Sequence, residues 1–152
     1  SGSKRIATAS ADGRPYVQHR GGPSGFLRVM DERTIGFADF RGNRQYVSVG
    51  SLGQDDRVAL ILVDYPHQRR LKLLGRARLV EDAQTLQALT VEGYQARVER
   101  GIVITVEAFD WNCPQHLTPR FTTEEIKAAV APLHARIAEL ETALAAHRGA
   151  EP

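Results

Sequence analysis

Short stretches of alternating apolar and polar residues, separated by turn-forming residues, occupy most of the first 110 positions. The Asp12-Gly13 pair between two such stretches is typical of a β-hairpin, because glycine readily adopts the positive φ that a tight turn requires. Glycine, proline and charged residues break the pattern at the other boundaries. The pattern predicts strands over residues 4–10, 16–20, 26–30, 35–38, 57–65, 70–80 and 101–109.

The apolar run Val58–Val63 is typical of a strand that is buried on both faces, and with the next strand it is expected to form the longest pair. Between these strands, helices are predicted at residues 43–52 and after an N-cap at Asp82. Six or seven strands joined mostly by short turns favour a closed or nearly closed antiparallel barrel over a doubly wound parallel sheet.

The C-terminal segment has a helical pattern. Thr122-Thr123-Glu124-Glu125 fits a capping box, and apolar residues then recur at spacings of four and three from Ile126 to Leu144. Pro132 is expected to kink this helix or to end its first part. We therefore predict a barrel domain over residues 4–121 and a helix over 122–148 that packs on its own barrel or on a second subunit.

Composition fits one globular domain of 152 residues with a formal net charge of +2. The single cysteine excludes an intramolecular disulfide framework, and apolar runs are too short to span a bilayer, so a soluble, cytoplasmic protein is expected. Ser1-Gly2-Ser3 resembles a linker remnant, so a natural start is expected to be missing. Residues 1–80 carry a net charge of +7 and the remainder −5, which directs the search for an anion site to the first half.

The most informative stretch runs from Phe37 to Gln45, where a strand leads into a turn and a predicted helix start at Asn43. Free backbone N–H groups at a helix start favour a phosphate, and Arg44 with Arg41 or Arg20 would add charge-assisted hydrogen bonds. A solvated turn capped by Asn43 explains the same residues and stays open.

A second candidate element is the segment Gln18–Gly22. Gln18, His19 and Arg20 offer hydrogen-bonding side chains, and Gly21 and the next glycine would let a ligand lie close to the backbone. This combination suits a flat polar ring such as the isoalloxazine of a flavin.

Together these segments resemble the pyridoxamine 5′-phosphate oxidase-like FMN-binding split-barrel family, over about residues 5–121. The segments that carry the resemblance are Asp12-Gly13-Arg14-Pro15, Gln18-His19-Arg20-Gly21-Gly22-Pro23, residues 37–45, Asp64-Tyr65-Pro66 and residues 109–116. The resemblance implies a mainly β fold, a six-stranded antiparallel split β-barrel with a C-terminal helix, and a homodimer with FMN at the subunit interface. It also implies an FMN-dependent oxidoreductase that acts on a small substrate.

The resemblance assigns roles to individual residues. Asn43, Arg44 and Gln45 correspond to the family's Ser-Arg-Lys phosphate grip, and Gln18 stands where the family has a strand arginine. Arg70 corresponds to a polar residue that reaches the flavin from the other subunit. Trp111 either walls the flavin pocket or closes the end of the barrel.

Two positions depart from the family pattern. Gln45 replaces the lysine of the grip and Gln18 the strand arginine, and Arg20 and Arg41 are the candidates to compensate. The Arg-x-His-x-Arg arrangement that holds the vitamin substrate in the oxidase itself has no match near residues 111–120. We therefore expect a substrate other than pyridoxamine phosphate.

Other functions stay open. A flavin-storage module would have the same pocket. The family's relatives also include proteins that bind haem or deazaflavin, so the identity of the cofactor stays open. A small basic barrel could instead bind nucleic acid, although few aromatic residues accompany its arginines. Cys113 and His116 have the spacing Cys-x-x-His, which falls short of a zinc set, and no third residue orients them as a nucleophile and base. Since a flavin supplies its own hydride chemistry, His19 and His116 are candidates only for proton transfer.

Overall fold

The computed structural model describes residues 3–42, 46–112, 115 and 117–148. The chain forms two compact units, one that ends at Leu117 and one that begins at Thr118. The first unit contains the sheet and two short helices, and the second contains one long helix.

Seven strands form a single sheet in which all neighbours are antiparallel. The strands are β1 (Ser3–Ala9), β2 (Pro15–Arg20), β3 (Arg28–Val29), β4 (Thr34–Phe40), β5 (Arg57–Asp64), β6 (Arg69–Val80) and β7 (Val98–Asn112). Their order in space is β2-β1-β5-β6-β7-β4-β3. The mainly β, antiparallel prediction is confirmed, and the seventh strand is the two-residue β3. Within the described residues β2 and β3 do not pair with each other, so the sheet stays open between them.

The predicted β1–β2 hairpin is present. Gly13 has a φ of +81°, and the Ser10 carbonyl accepts a hydrogen bond of 2.8 Å from the Gly13 N–H. The positive φ explains why the Asp-Gly pair marks this turn so clearly in the sequence.

Strand β5 lies in the middle of the sheet between β1 and β6. Val58 and Leu60 are buried, but Ala59 and Ile61 are only half-buried. The expectation of two fully buried faces is therefore wrong for these positions, because only the inner face of an antiparallel sheet of this kind lines the core.

The longest strand is β7, with 15 residues, and not β5, which has eight. Its pairing with β6 shifts register between Leu74 and Gly75. A Cβ at Gly75 would lie 2.3 Å from the carbonyl oxygen of Thr105, so the two backbones approach too closely for any side chain there. The sequence pattern predicts a shorter strand, over residues 101–109, because charged residues flank the apolar centre of β7.

The core lies on the inner face of the sheet. Phe37, Ile102 and Ile104 are completely buried, and the ring of Phe26 lies 5.4 Å from that of Phe37. β-branched and aromatic residues on paired strands therefore supply most of the packing.

Two short helices follow β4 and β6. The first, α1 (Val47–Leu52), begins after Tyr46, which makes no side-chain capping hydrogen bond, and the predicted start at Asn43 lies outside the described residues. The second, α2 (Ala83–Leu89), has the predicted N-cap: the Asp82 carboxylate accepts a hydrogen bond of 2.8 Å from the Thr85 N–H.

Leu89 anchors α2 to the sheet. It is completely buried, and its methyl groups lie 2.8 Å and 2.6 Å from where a Cβ would stand on Gly36 and on Gly101. Glycines on two adjacent strands thus form the notch that receives this leucine.

The second unit is helix α3 (Thr123–Arg148). Its capping box is confirmed: Thr122 Oγ1 accepts from the Glu125 N–H at 3.2 Å, and the Glu125 carboxylate accepts from the Thr122 N–H at 2.7 Å. The helix continues through Pro132 and does not end there. That its apolar positions pack on its own barrel or on a second subunit stays a prediction.

Candidate functional site

A cavity of about 670 Å³ opens where the end of β2 approaches β4. Its size lies within the range of small-molecule sites in proteins. The walls combine two glycines with aromatic rings and one charged pair. The lining residues are His19, Arg20, Gly21, Gly22, Pro23, Phe26, Ala38, Asp39, Phe40 and Tyr94.

Arg20 and Asp39 form an ion pair in the wall of this cavity, with side chains 15% and 4% exposed. One terminal guanidinium nitrogen of Arg20 donates to the Asp39 carboxylate. Burial raises the pKa of the Asp39 carboxyl above its usual value, and the charges of Arg20 and Arg100 oppose that shift. The buried Nε–H of Arg20 has no hydrogen-bond acceptor among the described residues.

More charged groups extend this pair toward the start of β7. Arg100 Nε lies 3.8 Å from the Asp39 carboxylate, and Glu99 contacts Arg100 at 3.7 Å and Arg41 at 3.9 Å. Three guanidinium groups and two carboxylates leave this cluster with one positive charge in excess. An anion is therefore favoured beside the cavity.

Tyr46 braces the same cluster. Its hydroxyl donates to the Glu99 carboxylate at 3.1 Å, and its ring centroid lies 5.4 Å from the guanidinium carbon of Arg100. The tyrosine thus holds both residues in place at the entry to α1.

Gln18 and Arg20 share one face of β2, and their side chains are half-buried. Gln18 Oε1 accepts a hydrogen bond of 2.9 Å from the hydroxyl of Ser48, which is completely buried in α1. His19 is more exposed, and its ring lines the cavity. All three predicted residues of β2 are therefore placed, two of them with partners on other elements.

The two glycines lie in the cavity lining, where rings of the same chain pack against them. A Cβ at Gly22 would lie 2.6 Å from the ring of Phe26, and one at Gly21 would lie 2.8 Å from the imidazole of His19. That they let a ligand lie close to the backbone stays a prediction. The glycines still shape the cavity, because they let these two rings lie against the backbone.

Several predicted residues fall elsewhere. Asn43, Arg44, Gln45, Cys113 and His116 lie outside the described residues. Arg41 follows β4 directly, and its backbone N–H donates to the Arg97 carbonyl at 2.8 Å. The three residues of the predicted phosphate grip are thus outside the described residues, whereas the two candidates to compensate, Arg20 and Arg41, are described.

Arg70 and Trp111 do not line this cavity. Arg70 lies on β6 and donates to the Gln115 carbonyl at 3.1 Å, and Trp111 lies on β7 with 60% of its surface exposed. Neither residue is therefore part of the described wall of the cavity.

Sequence reasoning missed the partners of Arg20. Asp39 lies within the segment 37–45 that carries the resemblance, but no local pattern assigns it a role. No local pattern points to Arg100 or Glu99 either. One indication was available: a carboxylate inside the apolar pattern of a strand needs a buried cation, because an unpaired buried charge is very costly.

Among the described residues, no group of three or more histidine, cysteine, aspartate or glutamate side chains is placed to hold a metal ion. Within the same part of the chain, no helix is long and apolar enough to cross a membrane.

Comparisons with known proteins agree with this architecture. The sequence profile of the pyridoxamine 5′-phosphate oxidase family matches residues 2–117. No curated protein matches the chain. Similar folds occur in HupZ of Group A Streptococcus (15% identity, 78% of this chain and 90% of that one, TM-score 0.59) and in an FMN-binding protein of Syntrophomonas wolfei (8%, 72% and 76%, 0.57).

A third solved structure, a putative pyridoxamine 5′-phosphate oxidase from Lactobacillus delbrueckii, shares 21% identity over 71% of this chain and 83% of that one, with a TM-score of 0.52. At these identities the structures establish the fold, which is the split barrel predicted from the sequence. Together with the profile match over most of its length, they show that the chain belongs to the pyridoxamine 5′-phosphate oxidase family.

Proposed function

We propose that this protein is an FMN-dependent oxidoreductase that acts on a small organic substrate, with FMN bound in the cavity beside β2 and β4. The observation that carries the proposal is the buried Nε–H of Arg20, a donor in the cavity wall without an acceptor among the described residues. A buried donor of this kind favours a ligand that offers an acceptor.

The other walls suit a flat heteroaromatic ring. Phe40 and Tyr94 form an edge-to-face pair with centroids 5.0 Å apart, and His19 is also part of the lining. The ring system of a flavin has carbonyl acceptors on one edge and an apolar, dimethylated edge on the other. The residues present therefore fit the ring portion of FMN.

The phosphate of FMN needs cations beyond the ring. We assign this role to Arg44 and Arg41, with Asn43 and Gln45 as hydrogen-bonding neighbours. The cluster of Arg20, Arg41 and Arg100, which has an excess of positive charge, supports this assignment. Gln18, held by Ser48, would orient the ring from β2.

FMN, when bound, supplies two-electron transfer to or from the substrate. The protein's own residues bind and orient it. Asp39 holds the guanidinium of Arg20, and the Arg20 Nε–H, which lacks an acceptor among the described residues, would donate a hydrogen bond to the bound ring. His19, an exposed residue of the lining, is our candidate for exchanging a proton with solvent.

A homodimer is part of the proposal. Arg70 does not line the cavity of its own chain, and we place Arg70 of the partner subunit against the flavin. Chemical cross-linking or light scattering at micromolar concentration measures the oligomeric state, and a monomer that binds FMN fully would contradict this part.

The test is the absorption spectrum of the purified protein titrated with FMN. We expect flavin bands at about one FMN per chain, lost in Arg44→Ala and retained in the control Arg14→Ala, whose side chain is 86% exposed on the hairpin turn. A protein that ignores FMN would refute the proposal, and binding of haem or deazaflavin instead would correct the cofactor.

Anaerobic reduction then separates an enzyme from a storage module. Bound FMN that is bleached by NADH or NADPH and reoxidised by an added acceptor supports an oxidoreductase. Bound FMN that stays oxidised with every donor supports storage.

A further inference from the structure

A second cavity, of about 370 Å³, lies on the inner face of the sheet. Its described lining does not include Arg20 or Asp39, although Lys4 in that lining pairs in register with Arg20 on β2. Residues in register across four strands form one side of it: Lys4 on β1 pairs with Leu62 on β5, which pairs with Leu71 on β6, which pairs with Trp111 on β7. Since paired residues share a face, these four side chains form one row. The loop 23–27 supplies the opposite side.

Lys4 is the unusual member of this row. Its side chain is 95% buried, since only 5% of its surface is exposed, and it lines the cavity. Among the described residues it has neither a hydrogen bond nor an ion pair; its ammonium nitrogen lies 4.0 Å from the ring centroid of Phe26 and 5.4 Å from that of Phe37. Such contacts only partly replace lost hydration.

An ammonium group in these surroundings lacks a counter-charge. Burial lowers the pKa of Lys4 from 10.5 to about 8, with no carboxylate to oppose the shift. Near neutral pH the group therefore stays largely protonated. A bound anion would replace the favourable interaction with water that the ammonium group loses on burial.

The charged neighbours do not supply this anion. Asp64 and Arg69 face each other across β5 and β6 and are the other charged residues in the described lining. Asp64 is largely exposed and is contacted by the His67 ring at 2.9 Å, and no carboxylate lies within ion-pair distance of Lys4 in the described chain. The remaining walls are mostly apolar: Phe26, Leu27, Leu62, Val63, Leu71 and Trp111.

We propose that this second cavity binds a small organic acid, with its carboxylate on the Lys4 ammonium and its apolar body against Phe26, Leu62 and Trp111. The volume lies within the range of small-ligand sites. The described linings of the two cavities share Pro23 and Phe26, so the two sites are adjacent, and the other described lining residues differ.

The test is calorimetric titration of the full chain, saturated with FMN, using benzoate as the probe and benzyl alcohol as its neutral counterpart. We expect benzoate to bind at least about tenfold more tightly than the alcohol, and Lys4→Met to remove that preference. The matched control is Lys72→Met, which removes a half-exposed lysine that faces Asp110 on the same sheet.

A measurement on the unmodified chain guards against misfolding of the Lys4→Met variant. Benzoate affinity should fall as the pH rises above about 8, where Lys4 loses its proton. Absence of benzoate binding up to about 10 mM, equal affinity for the alcohol, unchanged binding in a folded Lys4→Met, or competition between benzoate and FMN would each overturn the proposal.

Discussion

Arg20 and Asp39 join the edge strand β2 to β4 through a buried ion pair, although these strands are not neighbours in the sheet. The pair therefore links two separate parts of the sheet and forms one wall of the candidate FMN cavity. Stability and ligand binding should both depend on it.

Replacement of Arg20 by methionine should lower the free energy of unfolding by about 3 kcal/mol, because it leaves the buried Asp39 carboxylate with only the more distant Arg100. FMN affinity should fall by at least about tenfold. Urea denaturation and FMN titration measure the two effects. Arg14→Met, at an exposed position, should change neither, and equal stabilities of Arg20→Met and the parent would show that the pair is not structural.

The buried lysine predicts how stability depends on pH. Its pKa is about 8 in the folded protein and 10.5 when solvated, so between these values the unfolded chain binds more protons and folding becomes more favourable as the pH rises. The contribution should reach about 2–3 kcal/mol between about pH 7 and pH 10.5.

Denaturation of the parent and of Lys4→Met across that range isolates this contribution. The variant should lack the rise and should be the more stable of the two near pH 7, because an apolar side chain replaces an unpaired charge. Parallel pH profiles for the two proteins would contradict a lowered Lys4 pKa.

Gly75→Ala should be severely destabilising, by about 3 kcal/mol or more, since its Cβ would meet a backbone oxygen that cannot move without breaking the β6–β7 pairing. The control is Gly50→Ala in α1, where nothing lies within 4 Å of the added atom. That change should stabilise by about 0.5–1 kcal/mol because alanine favours the helix. Thermal unfolding of both variants measures the contrast.

Asp82→Ala should cost about 1 kcal/mol through loss of the N-cap of α2. Asp82→Asn is the matched control, because the amide oxygen can accept the same hydrogen bond from Thr85, and it should retain most of the stability. If both variants lose the same amount of stability, the negative charge of Asp82 and not its capping hydrogen bond stabilises α2.

Pyridoxamine phosphate should be a poor substrate of the FMN-loaded protein, because residues 111–120 do not carry the Arg-x-His-x-Arg arrangement. Formation of pyridoxal phosphate, followed by absorbance, measures this. Turnover comparable to that with NADPH and an acceptor would refute the expectation.

Local features were predictable from the sequence. The Asp12-Gly13 turn, the Asp82 cap and the Thr122 capping box each depend on residues within a few positions of one another. Periodicity also identified most strands, since their inner faces carry the apolar residues. The observed α1 begins at Val47, and the predicted start at Asn43 lies outside the described residues.

The site was less accessible from the sequence because its contacts depend on strand register. Asp39 meets Arg20 from 19 residues away and Arg100 from 61 residues away. No local pattern reports such pairings. Lys4 shows a related difficulty. Alternation places it on the same face as buried Ile6, but lysine is normally exposed, so the residue type predicts an exposed side chain where the strand buries it.

Phe26 contributes to both cavities, and its ring also contacts Phe37, Phe40 and the Lys4 ammonium. Because this one ring forms part of both walls, we expect a ligand that displaces it in one cavity to change the shape of the other. Any such effect of one ligand on the affinity of the other would be equal in both directions by thermodynamic reciprocity.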